Sequence, residues 1–432
     1  MKNVNTITVN FKGGCIPHSD LYNILLAAGK AGLLYVRFGL RQQLLLDVEW
    51  EELESLMAEL NMLGVTYELN TYEYPNLMSS FPAVDVFLHP TWVGEDTYKE
   101  IMESFTYHHK LKINISDAGQ SFTPLLTGNI NWVASPVDSH FWHLFIRFPK
   151  TNIIYEWEDL VHTRDLAAMS QRIEETILFD ARKFYDTPNA SGEELYNLIR
   201  KDSFHTQKAS SPLNLPPFNL PYYEGLNRYR DHFWLGIYRR DELFNIQFLK
   251  EACLLCRETG IAQIFSTPWK SVIIKGINER NRKDWNYLLD KYQINVRHAA
   301  NELNFQVEDN SLEALQLKLH LVRYLNNDDT RTFGVCIGIK TRRKSEVFSS
   351  ILVRKRYLFH IGKFGFFTMY DILCAKDFNP NERTDSVYSR NNPKFVLAEQ
   401  LRRAVLSYYD QLGMDEEKGV LHSTHTSPPV ED

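Results

Sequence analysis

The apolar positions near the N-terminus change period several times, and each change marks an element. Residues 5–10 alternate as a strand. Residues 19–32 carry apolar side chains at helical spacing, with Ser19 or Asp20 placed to cap the first turn. Strands are predicted at 33–38 and 43–47. An acidic helix follows at 49–63, closed by Gly64, and then a strand at 65–70.

The same order returns in the second half of the chain. A helix pattern at 243–259 is closed by Gly260. Strands at 261–266 and 271–276, a polar helix at 278–291 and a strand at 293–298 follow. Placing Arg37 on Phe265 gives an offset of 228 residues (37 to 265). Farther on, 110–116 resembles 332–338, and 129–134 resembles 349–354, at an offset of about 222 (110 to 332). That period far exceeds the roughly 20–50 residues of a repeat array, so the pattern is an internal duplication. Between the copies, helices are predicted at 159–186 and, after Ser191, at 191–202. Residues 203–223 hold four prolines and read as an ordered connector. A last helix is expected at 393–412, before a linker-like tail.

Composition narrows the function classes. The 48 Lys and Arg against 54 Asp and Glu leave a net charge of −6, which argues against a general nucleic-acid or membrane binder. The chain enters a strand pattern directly, so neither a secretory signal nor a membrane span is expected. Five cysteines are too few and too scattered for a disulfide framework, which points to a reducing, cytoplasmic setting. Cys253 and Cys256 share one apolar helical face and read as core residues rather than half of a metal site. His108 and His109 point oppositely on a strand and do not form a metal pair. The run from Lys340 to Lys344 reads as a solvated basic loop. The aromatic stretch 357–369 reads as a hairpin, 357–361 with 364–369, whose rings pack into a core.

Three local matches, in order, resemble the sulfite and nitrite reductase hemoprotein family. Residues 36–43 (VRFGLRQQ) resemble its V-R-x-T-x-R-Q stretch, with Gly39 in place of the usual Thr. Residues 110–116 (KLKINIS) resemble its K-x-K-x-x-x-S segment. Ser266-Thr267-Pro268-Trp269 and the strand after it resemble the start of its second repeat. The resemblance in element order covers roughly residues 17–411.

The resemblance implies an α+β fold of two pseudo-twofold-related repeats. Each is a ferredoxin-like half-domain plus an α/β sulfite/nitrite reductase-like domain. It divides the chain at 1–72, 73–223, 224–300 and 301–412, with a tail at 413–432. It assigns Arg37, Arg41, Gln42, Lys110 and Lys112 to siroheme carboxylates and a bound oxyanion, for which charge-assisted hydrogen bonding is the physical reason. The same resemblance puts the four thiolates of a four-iron cluster near 303–311 and 338–345, where this chain has no cysteine. The family's R-N pair reads Pro75-Asn76 here. The expectation is therefore a reductase-like protein without the cluster, acting as an accessory or electron-transfer component of nitrite or sulfite assimilation. Its partner would be a reductase or an electron donor. The alternatives are a non-catalytic siroheme-binding protein and a structural partner subunit. The resemblance also raises a rubredoxin-type domain joined through the tail.

Overall fold

The computed structural model describes residues 4–87, 91–297, 300–342, 347–361, 364–382 and 385–417, in two compact units, 1–303 and 304–432. The first unit opens with β1 (Val4–Val9), β2 (Cys15–Pro17), α1 (His18–Lys30), β3 (Tyr35–Phe38), β4 (Leu44–Glu49), α2 (Trp50–Met62) and β5 (Tyr67–Leu69). A larger sheet follows, with β6 (Met78–Ser79), α3 (Glu95–Ser104), β7 (Ile113–Asp117), β8 (Ile130–Ala134), β9 (Phe141–Arg147), β10 (Ile154–Glu156) and β11 (Asp159–His162). Three helices, α4 (Leu166–Phe179), α5 (Ala181–Phe184) and α6 (Gly192–Ile199), lead to β12 (Thr206–Lys208) in the connector. The second half-domain comprises β13 (Gly225–Tyr229), β14 (His232–Ile237), β15 (Phe244–Asn245), α7 (Ile246–Thr259), β16 (Gln263–Ser266), β17 (Val272–Ile277) and α8 (Arg282–Lys291).

The two half-domains exchange strands. One sheet runs β15-β3-β4-β1-β5 and the other β13-β14-β17-β16-β2. Thus β15 of the later copy completes the first sheet, while β2 of the earlier copy completes the second. β1 matches β14, β3 matches β16 and β4 matches β17, all at the offset of 228 residues (4 to 232). One hydrophobic core runs through both copies, including Leu25 and Ala28 of α1 and Leu249 and Cys253 of α7. Glycines end both helices in the left-handed region, Gly32 at φ 76° and Gly260 at φ 77°, where a side chain would be strained.

Several local expectations are corrected. Neither Ser19 nor Asp20 caps α1; the helix starts at His18 directly after Pro17. Its first amide, His18 N, instead donates to Ala262 O of the other copy at 3.1 Å. The helix expected from 159 begins only at Leu166, because 159–162 pair with β9 and β12 as a strand. The strand expected at 293–298 does not form at 293–297, and residue 298 lies outside the described set. Its edge position is taken by β13, which pairs with β14 as a hairpin.

The second unit holds β18 (Phe305–Val307), α9 (Leu312–Asn327), β19 (Ile337–Lys340), β20 (Ile351–Ile361), β21 (Phe364–Ala375), β22 (Asp385–Asn392) and α10 (Lys394–Glu417). Its sheet order, β18-β19-β20-β21-β22, repeats β6-β7-β8-β9-β11 of the first unit, with two parallel and then two antiparallel pairings in each. Backbone hydrogen bonds fix the correspondence. Asn129 N and Ile130 N both donate to Lys112 O, and Ser350 N and Ile351 N both donate to Cys336 O. The offset is therefore 224 before the loop (112 to 336) and 221 after it (129 to 350), rather than one value near 222.

The two copies diverge most at their hairpins. β8 and β9 span five and seven residues, whereas β20 and β21 span 11 and 12. The aromatic stretch on the longer hairpin is not packed into a core. Leu358, Phe359, Phe366 and Phe367 are 49%, 45%, 41% and 66% exposed. Among the described residues, β19 and β22 flank the hairpin only as far as Arg354 and Tyr370, and the exposed rings lie beyond those points.

Candidate functional site

The assigned cations gather around the turn between β3 and β4. That turn has a counterpart between β16 and β17. In the first, Gln42 N donates to Gly39 O at 3.0 Å and Gly39 N to Gln43 O at 2.9 Å. In the second, Lys270 N donates to Thr267 O at 3.2 Å and Thr267 N to Ser271 O at 3.0 Å. Gln42 and Lys270 both take a left-handed φ, 64° and 54°, at equivalent positions (42 to 270). One turn thus carries two sets of side chains.

Arg37 lies on β3 and forms a bidentate pair with Asp47 of β4, Nε–Oδ2 2.6 Å and Nη2–Oδ1 2.8 Å. The equivalent residues of the other copy are Phe265 and Lys275, and they also meet. The Lys275 ammonium lies 4.1 Å from the Phe265 ring centroid. It also donates to Phe81 O and Val84 O, at 3.2 Å each. A cross-strand ion pair in one copy is a cation–π pair in the other.

Arg41 is buried. Its Nε and Nη2 donate to Asn76 O at 3.2 and 2.9 Å, and Nη2 also reaches Ile113 O at 3.0 Å and Asn114 Oδ1 at 3.2 Å. Burial lowers its pKa to about 9. Asn76 Nδ2 returns a bond to Arg41 O at 2.9 Å. Gln42 fastens the two copies together. Its Oε1 accepts from Ser79 N at 2.9 Å, and its Nε2 donates to Ser79 O at 3.0 Å and Ser266 O at 3.3 Å. Ser266 Oγ donates to Gln42 O at 2.6 Å. Gly14 sits against this clamp at φ 76°; a Cβ there would fall 2.5 Å from Ser266 O.

Lys110 and Lys112 precede β7 and take different environments. Lys110 is exposed beside Glu73, Nζ–Oε1 3.2 Å, and its Nζ lies 5.8 Å from the Tyr74 ring centroid. Lys112 is half-buried. Desolvation, followed by the charges of Arg41 and Arg147, lowers its pKa to about 7. Arg147 donates to Thr127 O at 2.6 Å and Gly128 O at 3.1 Å. The structure therefore brings Arg41 and Lys112 into one neighbourhood, pairs Arg37 elsewhere on the sheet and leaves Lys110 at the surface.

Lys112 gives stability a pH dependence. The unfolded chain keeps this lysine charged up to its ordinary pKa of 10.5, while the folded chain releases the proton near 7. Between these values the unfolded state binds more protons, so stability rises with pH. Lys275, lowered to about 8 by burial, acts in the same direction. We expect Lys112→Met to reduce, without abolishing, the gain in urea midpoint between about pH 6 and pH 9.

Sequence reasoning missed Arg147, Lys275 and Glu174. Burial raises the Glu174 pKa, and its Oε2 accepts from Lys110 N at 2.7 Å and Leu111 N at 2.5 Å. The available signal for Lys275 and Arg147 was a lone cation in an apolar strand. Another missed element is the buried pair of Lys270 with Glu242, 2.7 Å apart and 4% and 7% exposed. Removing one member would strand the other charge, so Lys270→Met is expected to cost about 3 kcal/mol in denaturant unfolding. Adding Glu242→Leu should recover most of that loss.

The thiols lie on different elements: Cys15 on β2, Cys253 and Cys256 on α7, Cys336 just before β19 and Cys374 on β21. Burial raises the pKa of Cys15, Cys253 and Cys336 to about 12. No group of three or more Cys, His, Asp or Glu among the described residues is placed to hold a metal ion. This donor set does not fit a four-iron cluster, which needs converging thiolates. Of the basic run, Arg343 and Lys344 lie outside the described residues. Arg342 Nη1 donates to Asp309 O at 3.3 Å.

The exchanged half-domains and the twice-used mixed sheet make an α+β fold of two repeats, each a ferredoxin-like half-domain plus a sulfite/nitrite reductase-like domain. The solved structure of the NirA protein of Mycobacterium tuberculosis matches with a TM-score of 0.67 at 13% identity, over 93% of this chain and 80% of that one. At that identity the likeness is one of fold. No family model matches the chain, and no curated protein matches its sequence. Among the described residues, no helix is long and apolar enough to cross a membrane.

Proposed function

We propose that the protein is an accessory component of nitrite or sulfite assimilation, with the reductase scaffold but without the four-iron cluster. It would work in the cytoplasm by binding a reductase or its electron donor. The reading rests on the shared fold and on one observation above all. Arg41, the cation that the family pattern aims at siroheme, is buried and bonded to Asn76 O, Ile113 O and Asn114 Oδ1 of its own chain. Arg37 is likewise paired with Asp47, and Gln42 joins the two copies. Of the five assigned residues, Lys110 is the one at the surface, and a single exposed lysine does not organise a polycarboxylate macrocycle.

Iron analysis and a visible spectrum of the full chain, purified from cells that make siroheme, test the reading. The expected result is a colourless protein with well under stoichiometric iron that binds the purified siroheme reductase of those cells. A Soret band with stoichiometric iron overturns it, and so does the absence of binding to both the reductase and its electron donor.

A further inference from the structure

We propose that a cavity at the end of β21 and the start of β22 is the seat of the chain's own segment Gly419-Val420-Leu421. The cavity, about 510 Å³, is lined by Lys376, Asp377, Phe378, Ser386, Tyr388 and Gln411, among others. The duplication shows what such a place receives. Ile130 pairs with Ile146 as its counterpart Ile351 pairs with Cys374. Ile146 in turn faces Tyr155 of β10, and Cys374 faces Ser386 of β22. Lys376, Asp377 and Phe378 therefore match Phe148, Pro149 and Lys150 (148 to 376), while Ser386 and Tyr388 match Tyr155 and Trp157 (155 to 386). The two turns close alike: Thr151 N donates to Phe148 O at 3.1 Å, and Asn379 N to Lys376 O at 2.9 Å.

In the first copy, the chain that follows α4 covers all five positions. Phe184 stacks on Phe148 at 5.9 Å. Asp186 N donates to Pro149 O at 3.0 Å, and Lys150 Nζ lies 4.6 Å from the Tyr185 ring centroid. Gly192 packs against the Tyr155 ring with no room for a Cβ. Tyr196 meets Trp157 edge-on at 5.0 Å. Trp157 is consequently 5% exposed, against 39% for Tyr388. In the second unit α10 follows β22 as α4 follows β11, and among the described residues no element comes after it. The chain in the covering position is 418–432, which lies outside the described residues. Its first apolar side chains are Val420 and Leu421. They are within reach. Gln411 lines the cavity, and Glu417 lies about 9 Å farther along the helix (411 to 417). Four extended residues span about 13–14 Å, enough to bring Leu421 back. Gly419 suits the reversal, because glycine takes the left-handed conformations that end helices.

A photo-crosslinking residue placed at position 388 of the full chain tests this. The expected adduct, identified by mass spectrometry, joins position 388 to the tryptic peptide that begins at Gly419. In an equal mixture of isotope-labelled and unlabelled chains, both ends of the adduct should carry the same label. Ser386→Tyr puts into the cavity the ring that the first copy has at Tyr155, and Ser386 is exposed, so the variant should fold and lose the adduct at least tenfold. V420S/L421S should lose it as well and should speed amide exchange at 386–389 at least threefold, while V430S changes neither. Adducts with mixed labels, with another polypeptide, or none with the peptide from Gly419 overturn the proposal. An adduct that survives both S386Y and V420S/L421S overturns it too, and so does unchanged amide exchange in V420S/L421S.

Discussion

Replacing Arg41 with alanine is expected to lower the unfolding free energy by about 3 kcal/mol and to raise the pKa of Lys112. The guanidinium satisfies the carbonyls of Asn76 and Ile113 and the side chain of Asn114, all away from water. An acceptor left without a donor costs about 1–3 kcal/mol, and here more than one is left. Arg41→Lys should not rescue stability, because one ammonium does not reproduce the planar fork that reaches these acceptors. The Lys112 shift separates this role from a ligand-binding one. Removing the neighbouring charge relieves a repulsion on Lys112 that exists without any ligand. Denaturant unfolding at several pH values, with Arg41→Ala beside the wild type, reads both effects. A stability unchanged within about 0.5 kcal/mol would place Arg41 on a ligand instead.

The matching substitution in the other copy, Trp269→Ala, is expected to cost about 4 kcal/mol. Trp269 occupies the same turn position as Arg41 and is 2% exposed. Its Nε1 donates to Phe122 O at 2.6 Å, and its ring lies 6.1 Å from that of Tyr223. Trp269→Phe keeps most of the apolar volume and loses the donor, so about 1–2 kcal/mol is expected for it. Chemical denaturation of the two variants separates packing from hydrogen bonding. Equal losses for alanine and phenylalanine would show that the hydrogen bond carries the whole effect.

The duplication was legible because it rests on period and punctuation. Gly32 and Gly260, α1 and α7, and the strand pairs around the two turns all fall at one offset (32 to 260). Elements decided by distant partners were not legible. Residues 159–162 become a strand because β9 and β12 are beside them, and 293–297 stay out of the sheet because β13 holds that edge. The candidate site was legible only as residue types. An arginine in a strand pattern does not reveal whether its donors face a ligand or a carbonyl. The carbonyls that bind Arg41 come from residues 35 and 72 positions away in the chain. The aromatic hairpin was misjudged for a related reason. Its composition suits a core, but the strands on either side end before reaching it.

The exchange of β2 and β15 sets a timetable for synthesis. The first half-domain sheet is nearly complete once residue 69 has left the ribosome, but its edge at β3 stays open until Phe244–Asn245 emerges. At about 5–20 residues per second that interval (69 to 244) is roughly 9 to 35 seconds. During it, the nascent chain holds an unpaired strand beside the apolar face of α1 that later meets α7. A chaperone bound there, or a translation rate high enough to shorten the wait, would determine how much of the newborn protein reaches the native state.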